Sequence, residues 1–555
     1  MPNSAYSEYN MWFQNGDAAP PGTVPAVPER ILNHWDNMDG TIERGYSGKS
    51  LFFRDGTISY DPERIKLYAR LLASVGINRV CFNNVNVTPR AARLITGEML
   101  PALGKLAGIF RAAGIRSIIA VDFNSPVLLG GLPTSDPLDG KVAAWWENTA
   151  VLVYKVIPDL AGFLVKADSE FRDGPAALGR TQADGANVLA RALKPHGGKV
   201  YWRCFVYNCE QDWRDFATDR PKAAYDHFFP LDGAFEDNVI LQIKYGPSDF
   251  QVREPHSPLL GAMKRTAQAL ELQITQEYTG QQIDLYALAA QWEEFFASPV
   301  SGTRRARDLI GREVTAVAAV ANTGDDLNWT GHTLAQANLY AFGRMAWDPS
   351  LTAREVLSDW IGLTFGEGPA LREPLLDMML RSRDVYEKYT APLGLCWMVN
   401  TGGHYGPSPE GYEFSKWGTY HRADREAVGV DRTAKGTGFT AQYDPYLQAL
   451  YDDRETCPEG LLLYFHRLPY TYRLKSGKTL LQHIYDTRFE GVEGVEGFIR
   501  IWDGLRPLLP GSAYDSVAAR LRRQLANARE WRDVLNTYFY RKTGVPDANG
   551  RIIHP

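Results

Sequence analysis

Eight short β-type runs, each followed by a stretch of helical periodicity, limit what this chain can fold into more than any other feature. The runs are RILNHWDN (30–37), NRVCFNNV (78–85), RSIIAVDF (116–123), GFLVKADSE (162–170), KVYWRCFVY (199–207), NVILQIKYG (238–246), LELQITQEY (270–278) and TAVAAVAN (315–322). Between them, DPERIKLYARLLASVG (61–76) and MLPALGKLAGIFRAAG (99–114) carry an apolar helical face and end in glycine, where helices commonly stop. Strands that alternate with helices pair in parallel, and eight of them close into a (β/α)8 barrel, with an open doubly wound sheet as the alternative. After about residue 335 helical periodicity takes over, as in TAREVLSDWIGLTF (352–365), LREPLLDMMLRSRDVYEKY (371–389) and SVAARLRRQLANAREWRDVLNTYF (516–539). The expected organisation is α/β: an N-terminal arm over 1–28, proline-rich from Ala18 to Pro28, a barrel over 29–334, and a mainly α-helical C-terminal domain over 335–555.

In such a barrel the chemistry lies at the C-terminal ends of the strands. Polar side chains collect at those ends. Side chains alternate along a strand, so a strand running through VKADSE (165–170) puts Lys166, Asp168 and Glu170 on one face. The fifth run carries Arg203, and the sixth carries Gln242 and Lys244, with Asp249 in the loop beyond. The seventh carries Gln273, Thr275 and Glu277, the first His34, Trp35 and Asp36, and the second Asn83 and Asn84. A salt-bridged barrel mouth serving stability alone is the plain alternative, but repetition over five strands favours a site. Glu170, Asp249 and Glu277 are the carboxylates able to do acid–base work. Glycoside hydrolysis needs one protonated carboxyl for the leaving oxygen and a carboxylate opposite it. Arg203 and Lys244 would suit an anionic substrate. An aldolase or lyase on the same barrel stays open at this point, because barrels host many chemistries.

Other classes find little support. The formal net charge of −5 makes no electrostatic case for nucleic acid. No stretch reaches the roughly 18 apolar residues of a membrane span. The N-terminus shows no basic segment followed by an apolar one, and five sparse cysteines (Cys81, Cys204, Cys209, Cys396, Cys457) read as free thiols in a reducing compartment. A cytoplasmic protein is expected. GYSGKS (45–50) resembles a phosphate loop, but Glu43 stands where a Walker loop needs its first glycine. No HExxH or CxxC pair occurs, and His34 beside Asp36 reads as structural before it reads as a metal ligand.

Longer runs carry a more specific signal. LNHWDNMDGTIERGYSGKSLFF (32–53), KADSE (166–170), GRTQADGANVLARALKPHGG (179–198), WRCFVYNCEQDWRD (202–215), QITQEYTGQQ (273–282), DDLNWTGHTLAQANLYAFGRMAWDP (325–349) and GGHYGPSPEGYEFSKWGTYHRAD (402–424) resemble the family-67 glycoside hydrolases, the α-glucuronidases of xylan breakdown. The resemblance covers roughly residues 28 to 500. It implies release, with inversion, of (4-O-methyl-)D-glucuronic acid linked α-1,2 to the terminal non-reducing xylose of xylo-oligosaccharides (aldouronic acids), without metal or other cofactor. Glu170 matches the family's general acid, and Asp249 and Glu277 the pair that activates water. Arg203 and Lys244 match positions holding the uronic carboxylate, and Trp35 and Trp417 aromatics that pack on sugar. The resemblance also implies a homodimer through the C-terminal domain. Two neighbouring carboxylates share charge poorly, so one of Asp249 and Glu277 is expected to have a raised pKa. Two features depart from the family pattern: its β-rich N-terminal domain has no counterpart in the residues ahead of the barrel, and a bulky Phe171 follows the acid.

Overall fold

The computed structural model describes residues 24–553, apart from 171, 206–211, 213, 216–217, 367, 414–415 and 417–419. Eight parallel strands close a barrel: β1 (Glu29–His34), β2 (Arg79–Phe82), β3 (Arg116–Val121), β4 (Gly162–Val165), β5 (Lys199–Arg203), β6 (Val239–Lys244), β7 (Ala267–Gln273) and β8 (Val314–Ala321). β1 pairs with both β2 and β8, so the sheet has no open edge. Both faces of each strand are covered: every residue of β1, β4 and β6 is buried, and in β1 this includes the polar Glu29, Arg30, Asn33 and His34. At the start of the strands buried Glu29 accepts from Lys199 Nζ at 3.0 Å and Tyr201 OH at 2.8 Å, a contact at the end of the barrel that serves stability.

The helices begin and stop for local reasons. In α1 (Pro62–Ser74), Asp61 caps the N-terminus by accepting from the amides of Glu63 and Arg64, and Pro62 fills a first-turn position where no N–H is missed. Gly76, at φ 81°, carries the chain out. α2 (Leu100–Ala112), α3 (Gly140–Val156), α4 (Gln182–Leu193), the short α5 (Ala223–Phe228) and α6 (Leu288–Ala297) follow in turn, and α7 (Gln336–Trp347) comes after β8 and packs on α6 and β1.

The strands end earlier than the apolar runs suggest. β4 stops at Val165, the last residue paired to β3 and β5, so Lys166, Asp168 and Glu170 do not share a strand face. Beyond the rim no neighbour continues the ladder, and Asp168 and Glu170 both take left-handed backbone, each at φ 51°. Asp168 turns aside to accept from the Ala176 amide and Gln182 Nε2. Lys166 and Glu170 meet through this turn instead.

The C-terminal part is built on α8 (Ala353–Phe365), opened by a Thr352–Glu355 capping box, then α9 (Pro369–Tyr389), α10 (Leu480–Leu505) and α11 (Gly511–Thr543). The last three pack together. α10 escaped the periodicity reading because glycine recurs through LLQHIYDTRFEGVEGVEGFIRIWDGL. Those glycines have a packing role: a Cβ at Gly491 would lie 2.8 Å from Tyr389 Cβ, and one at Gly494 2.7 Å from Val385 Cγ2, so they let α10 close onto α9. Between α9 and α10 the chain runs back over the barrel mouth. Arg44 Nη1 donates to the Gly402 carbonyl at 3.0 Å and Gln281 Nε2 to that of Gly403 at 2.7 Å. Buried Arg432 pairs with Asp219 at 2.7 Å. No helix of the described residues is long and apolar enough to cross a membrane.

Candidate active site

The segments beyond β1, β4, β6 and β7 and the returning C-terminal loop enclose a cavity of about 370 Å3. Glu170, Asp249 and Glu277 all line it, as do Trp35, Arg203 and Lys244. Six of the seven side chains singled out from sequence therefore meet in one place; the seventh, Trp417, lies outside the described residues, as does Phe171.

Each carboxylate has its own setting. Glu170 is reached by Lys166 Nζ, which also donates to Asn86 Oδ1 at 2.8 Å. Burial pushes the Glu170 carboxyl up, but the charge and hydrogen bond of Lys166, together with Lys244, outweigh it and leave the pKa below the ordinary value. Asp249 leaves the barrel on the loop after β6, with left-handed backbone at φ 75° followed by Phe250 at φ 59°. Lys244 Nζ donates to its Oδ1, Arg220 Nη2 to its Oδ2 at 3.2 Å, and the Tyr278 hydroxyl to the same oxygen at 3.4 Å. The expected raised pKa is not found at Asp249: burial is overcome by Lys244 and Arg220, and the carboxyl lies well below the usual range. Glu254 fastens this loop from behind, accepting from the Gln251 amide at 2.9 Å and the Ser248 amide at 2.5 Å. Burial carries Glu254 up to about 8, so it keeps its proton at neutral pH.

Glu277 follows β7. Its Oε2 accepts from Gln273 Nε2 at 3.0 Å, and its Oε1 faces His404 Nδ1 at 2.8 Å and Arg44 Nε at 3.4 Å. β4 and β7 lie three places apart in a ring of eight, so Glu170 faces Glu277 across the mouth.

The cations are organised as well. Arg203 forks onto Glu271 inside the barrel, with Nη2 to Oε1 at 2.5 Å and Nε to Oε2 at 2.8 Å, and Gln242 Nε2 donates to the same carboxylate at 2.5 Å. The Phe205 ring sits among four charges: Lys244 Nζ is 3.3 Å from its centroid, Lys166 Nζ 5.0 Å, and the Arg203 and Arg220 guanidinium carbons 5.5 and 5.6 Å. Trp35, buried at the rim of β1, has an indole N–H without a hydrogen-bond partner among the described residues.

Several members of this group went unassigned in the sequence reading. Glu271 sits mid-strand, where a period-two reading gives no cue to charge pairing. Lys166 was visible beside Glu170, but as part of a strand face. Arg44, Arg220, His404 and Glu413 come from loops, and the last two from the C-terminal part, so nothing local marks them. The runs at 32–53 and 402–424 were the only signal for three of them. His34, by contrast, is spent within the core, on the Cys81 carbonyl at 3.0 Å and the Tyr68 hydroxyl at 2.9 Å. The four described cysteines are free.

Comparison with known proteins agrees with this geometry. The glycosyl hydrolase family 67 middle-domain model matches residues 17–329, and the family 67 C-terminus model residues 330–552. A probable alpha-glucuronidase A of Aspergillus terreus is 45% identical over 559 residues, which takes in 99% of this chain and 66% of that protein. Alpha-glucuronidase A of Aspergillus tubingensis is 44% identical over 542 residues, 96% of this chain and 64% of that protein. The chain thus spans just under two thirds of the length of the curated relatives it matches. The two models together take in nearly the whole chain, and they show its family: this chain belongs to glycosyl hydrolase family 67.

Proposed function

We propose that the chain is an inverting α-glucuronidase, releasing (4-O-methyl-)D-glucuronic acid from its α-1,2 linkage to the terminal non-reducing xylose of short aldouronic acids. One observation carries the reading: three carboxylates and the cations Lys166, Arg203 and Lys244 line a single enclosed cavity. Family membership and the names of the relatives support the same substrate.

The ion pairs suggest how the acid is armed. Paired with Lys166, Glu170 is held ionised, the wrong state for a general acid. A uronic carboxylate entering among Lys166, Arg203 and Lys244 adds a negative charge and takes a share of Lys166. Glu170 then loses part of its cation while staying buried, and both changes raise its pKa. The protonated Glu170 gives its proton to the glycosidic oxygen as the bond to xylose breaks. A water held by Asp249 and Glu277 attacks the anomeric carbon from the other side and yields its proton to that pair. Trp35 packs against the sugar, and its unpartnered N–H is placed for a hydroxyl. Trp417 would add a second aromatic. No metal or other cofactor has a part in these steps.

The protein works as a homodimer through the C-terminal helices, where Leu508, Val534 and Val545 are exposed, and its free thiols suit the cytoplasm. Sedimentation of the pure protein at micromolar concentration tests the dimer.

The activity is tested by incubating the protein with aldotriouronic acid and following the freed sugar and its anomer by proton NMR. Initial release of the β-anomer supports the proposal. Initial α-anomer refutes inversion, turnover of a galacturonosyl substrate alone refutes the substrate assignment, and tight binding without release refutes hydrolysis.

A further inference from the structure

Among the cavity-lining residues that the C-terminal part supplies, the mechanism above leaves His404 and Glu413 unused. His404 Nδ1 lies 2.8 Å from Glu277 Oε1, and His404 Nε2 3.2 Å from Glu413 Oε1. The other Glu413 oxygen accepts from Arg220 Nη1 at 2.8 Å, while Arg220 Nη2 reaches Asp249 Oδ2 at 3.2 Å. An unbroken series of opposite charges therefore runs Glu277, His404, Glu413, Arg220, Asp249. It begins and ends on the two carboxylates assigned to water.

The geometry fixes the charge on the imidazole. A neutral ring has one N–H, so it would meet one glutamate with a donor and the other with a lone pair. The doubly protonated ring turns an N–H and a positive charge toward both carboxylates: Nδ1 hydrogen-bonds to Glu277, and Nε2 pairs with Glu413 by charge at 3.2 Å, outside hydrogen-bond geometry. The groups facing it are Glu277, Glu413, Arg44, which opposes its charge, and Tyr278, whose ring stacks on it with centroids 4.5 Å apart at 22°. Burial works against the imidazolium, but the two glutamates outweigh burial and Arg44, and carry its pKa up to about 9.

We propose that His404 is a positioning residue: a standing imidazolium, backed by Glu413, that fixes the rotamer of Glu277 and links it through Arg220 to Asp249. This rests on the reading of Glu277 and Asp249 as the water-side pair. Two carboxylates aimed at one water repel each other, and without separate cations one of them takes up a proton and loses its use as an acceptor. Asp249 has Lys244 and Arg220 for that purpose; Glu277 has His404 and Arg44. No bond to substrate forms or breaks at His404. Its effect passes entirely through Glu277.

Two measurements on the full chain test this. In the first, histidine ring resonances of isotopically labelled protein are titrated, the His404 signal being identified by its loss in His404→Gln. Protonation of both ring nitrogens at pH 7.5, with a midpoint near pH 9 that drops in Glu413→Gln, is expected. A neutral ring at pH 7.5 overturns the proposal. The second is steady-state hydrolysis of aldotriouronic acid. Misplacing a catalytic group by about 1 Å costs on the order of 100-fold, so His404→Gln lowers kcat by about 10- to 100-fold with KM little changed. It also removes the loss of activity above pH 9. His404→Asn, whose amide can occupy the Nδ1 position and still donate to Glu277, recovers part of kcat. Wild-type kcat and pH profile in His404→Gln overturn the proposal. Wild-type protein that releases no uronic acid sinks the functional reading instead, and the titration still decides the imidazolium bridge.

Discussion

Replacing Glu271 by Gln tests the account of the barrel interior most directly. Arg203 and Glu271 are both buried, their side chains 3% and 0% exposed, and the guanidinium fork and Gln242 together place three donors on one carboxylate. Glutamine keeps the shape but removes the charge and turns an N–H2 toward groups that are themselves donors. Leaving one member of a buried pair uncompensated costs about 3–5 kcal/mol. From Glu29 to Trp347 the barrel holds roughly 320 residues. With an unfolding entropy of about 2.1 cal/mol/K per residue, each kcal/mol moves its midpoint by ~1.5 °C, so Glu271→Gln should melt about 4–8 °C lower. Scanning calorimetry at neutral pH reads this. The double change Arg203→Met with Glu271→Met removes both charges, and it should melt within about 3 °C of wild type, because well-packed apolar replacements of buried pairs are close to neutral. Saturating D-glucuronic acid should raise the Glu271→Gln midpoint more than that of wild type, since its carboxylate supplies the missing anion. A drop of less than about 2 °C in Glu271→Gln would refute the reasoning, since Arg203 would then not depend on Glu271.

Three further outcomes follow from the same contacts. Glu170→Gln should lose about 100- to 10,000-fold in kcat on aldotriouronic acid yet keep most of its rate on an aryl glucuronide whose leaving group needs no proton; equal losses on both would remove Glu170 from the acid's role. His404, raised from 6.5 to about 9, adds stability that is complete below pH 6.5 and is lost as pH rises through 9. That contribution is about 3 kcal/mol, so the melting gap between wild type and His404→Gln should be widest near pH 6 and close by pH 10, and a gap independent of pH would contradict the linkage. Gly491→Ala should destabilise by about 1–3 kcal/mol, because the new methyl meets Tyr389 backbone and Cβ at the α9–α10 contact; a midpoint equal to wild type would show that α9 yields freely.

The barrel was legible because eight short β-type runs alternate with helical stretches, even though strands such as β1 and β7 carry buried polar residues, Asn33, His34, Gln268 and Glu271 among them. Their ends were not. Polar residues such as Lys166, Asp168 and Glu170 alternate as a strand would, while pairing to β3 and β5 stops at Val165 and the chain turns left-handed. Helix α11 announced itself by an apolar stripe; α10 hid because glycine both breaks the pattern and makes the close approach to Tyr389 possible. At the mouth, the carboxylates and cations carried by strand ends were readable one strand at a time. His404 was not: it pairs with Glu277 across 127 residues, and only the fold brings those two loops together.

Arg44, Gln281 and Glu277 of the barrel all hold on to the 402–404 segment of the C-terminal part. The two parts must therefore change together. A chimera that joins this barrel to a relative's C-terminal part could fold and still lose its rate, unless the donor brought its own histidine to the same spot. Swapping the 402–413 segment back should then restore turnover and, with it, the share of the melting temperature that His404 supplies. Recombination at the seam would then be judged by the chemistry as well as by the fold.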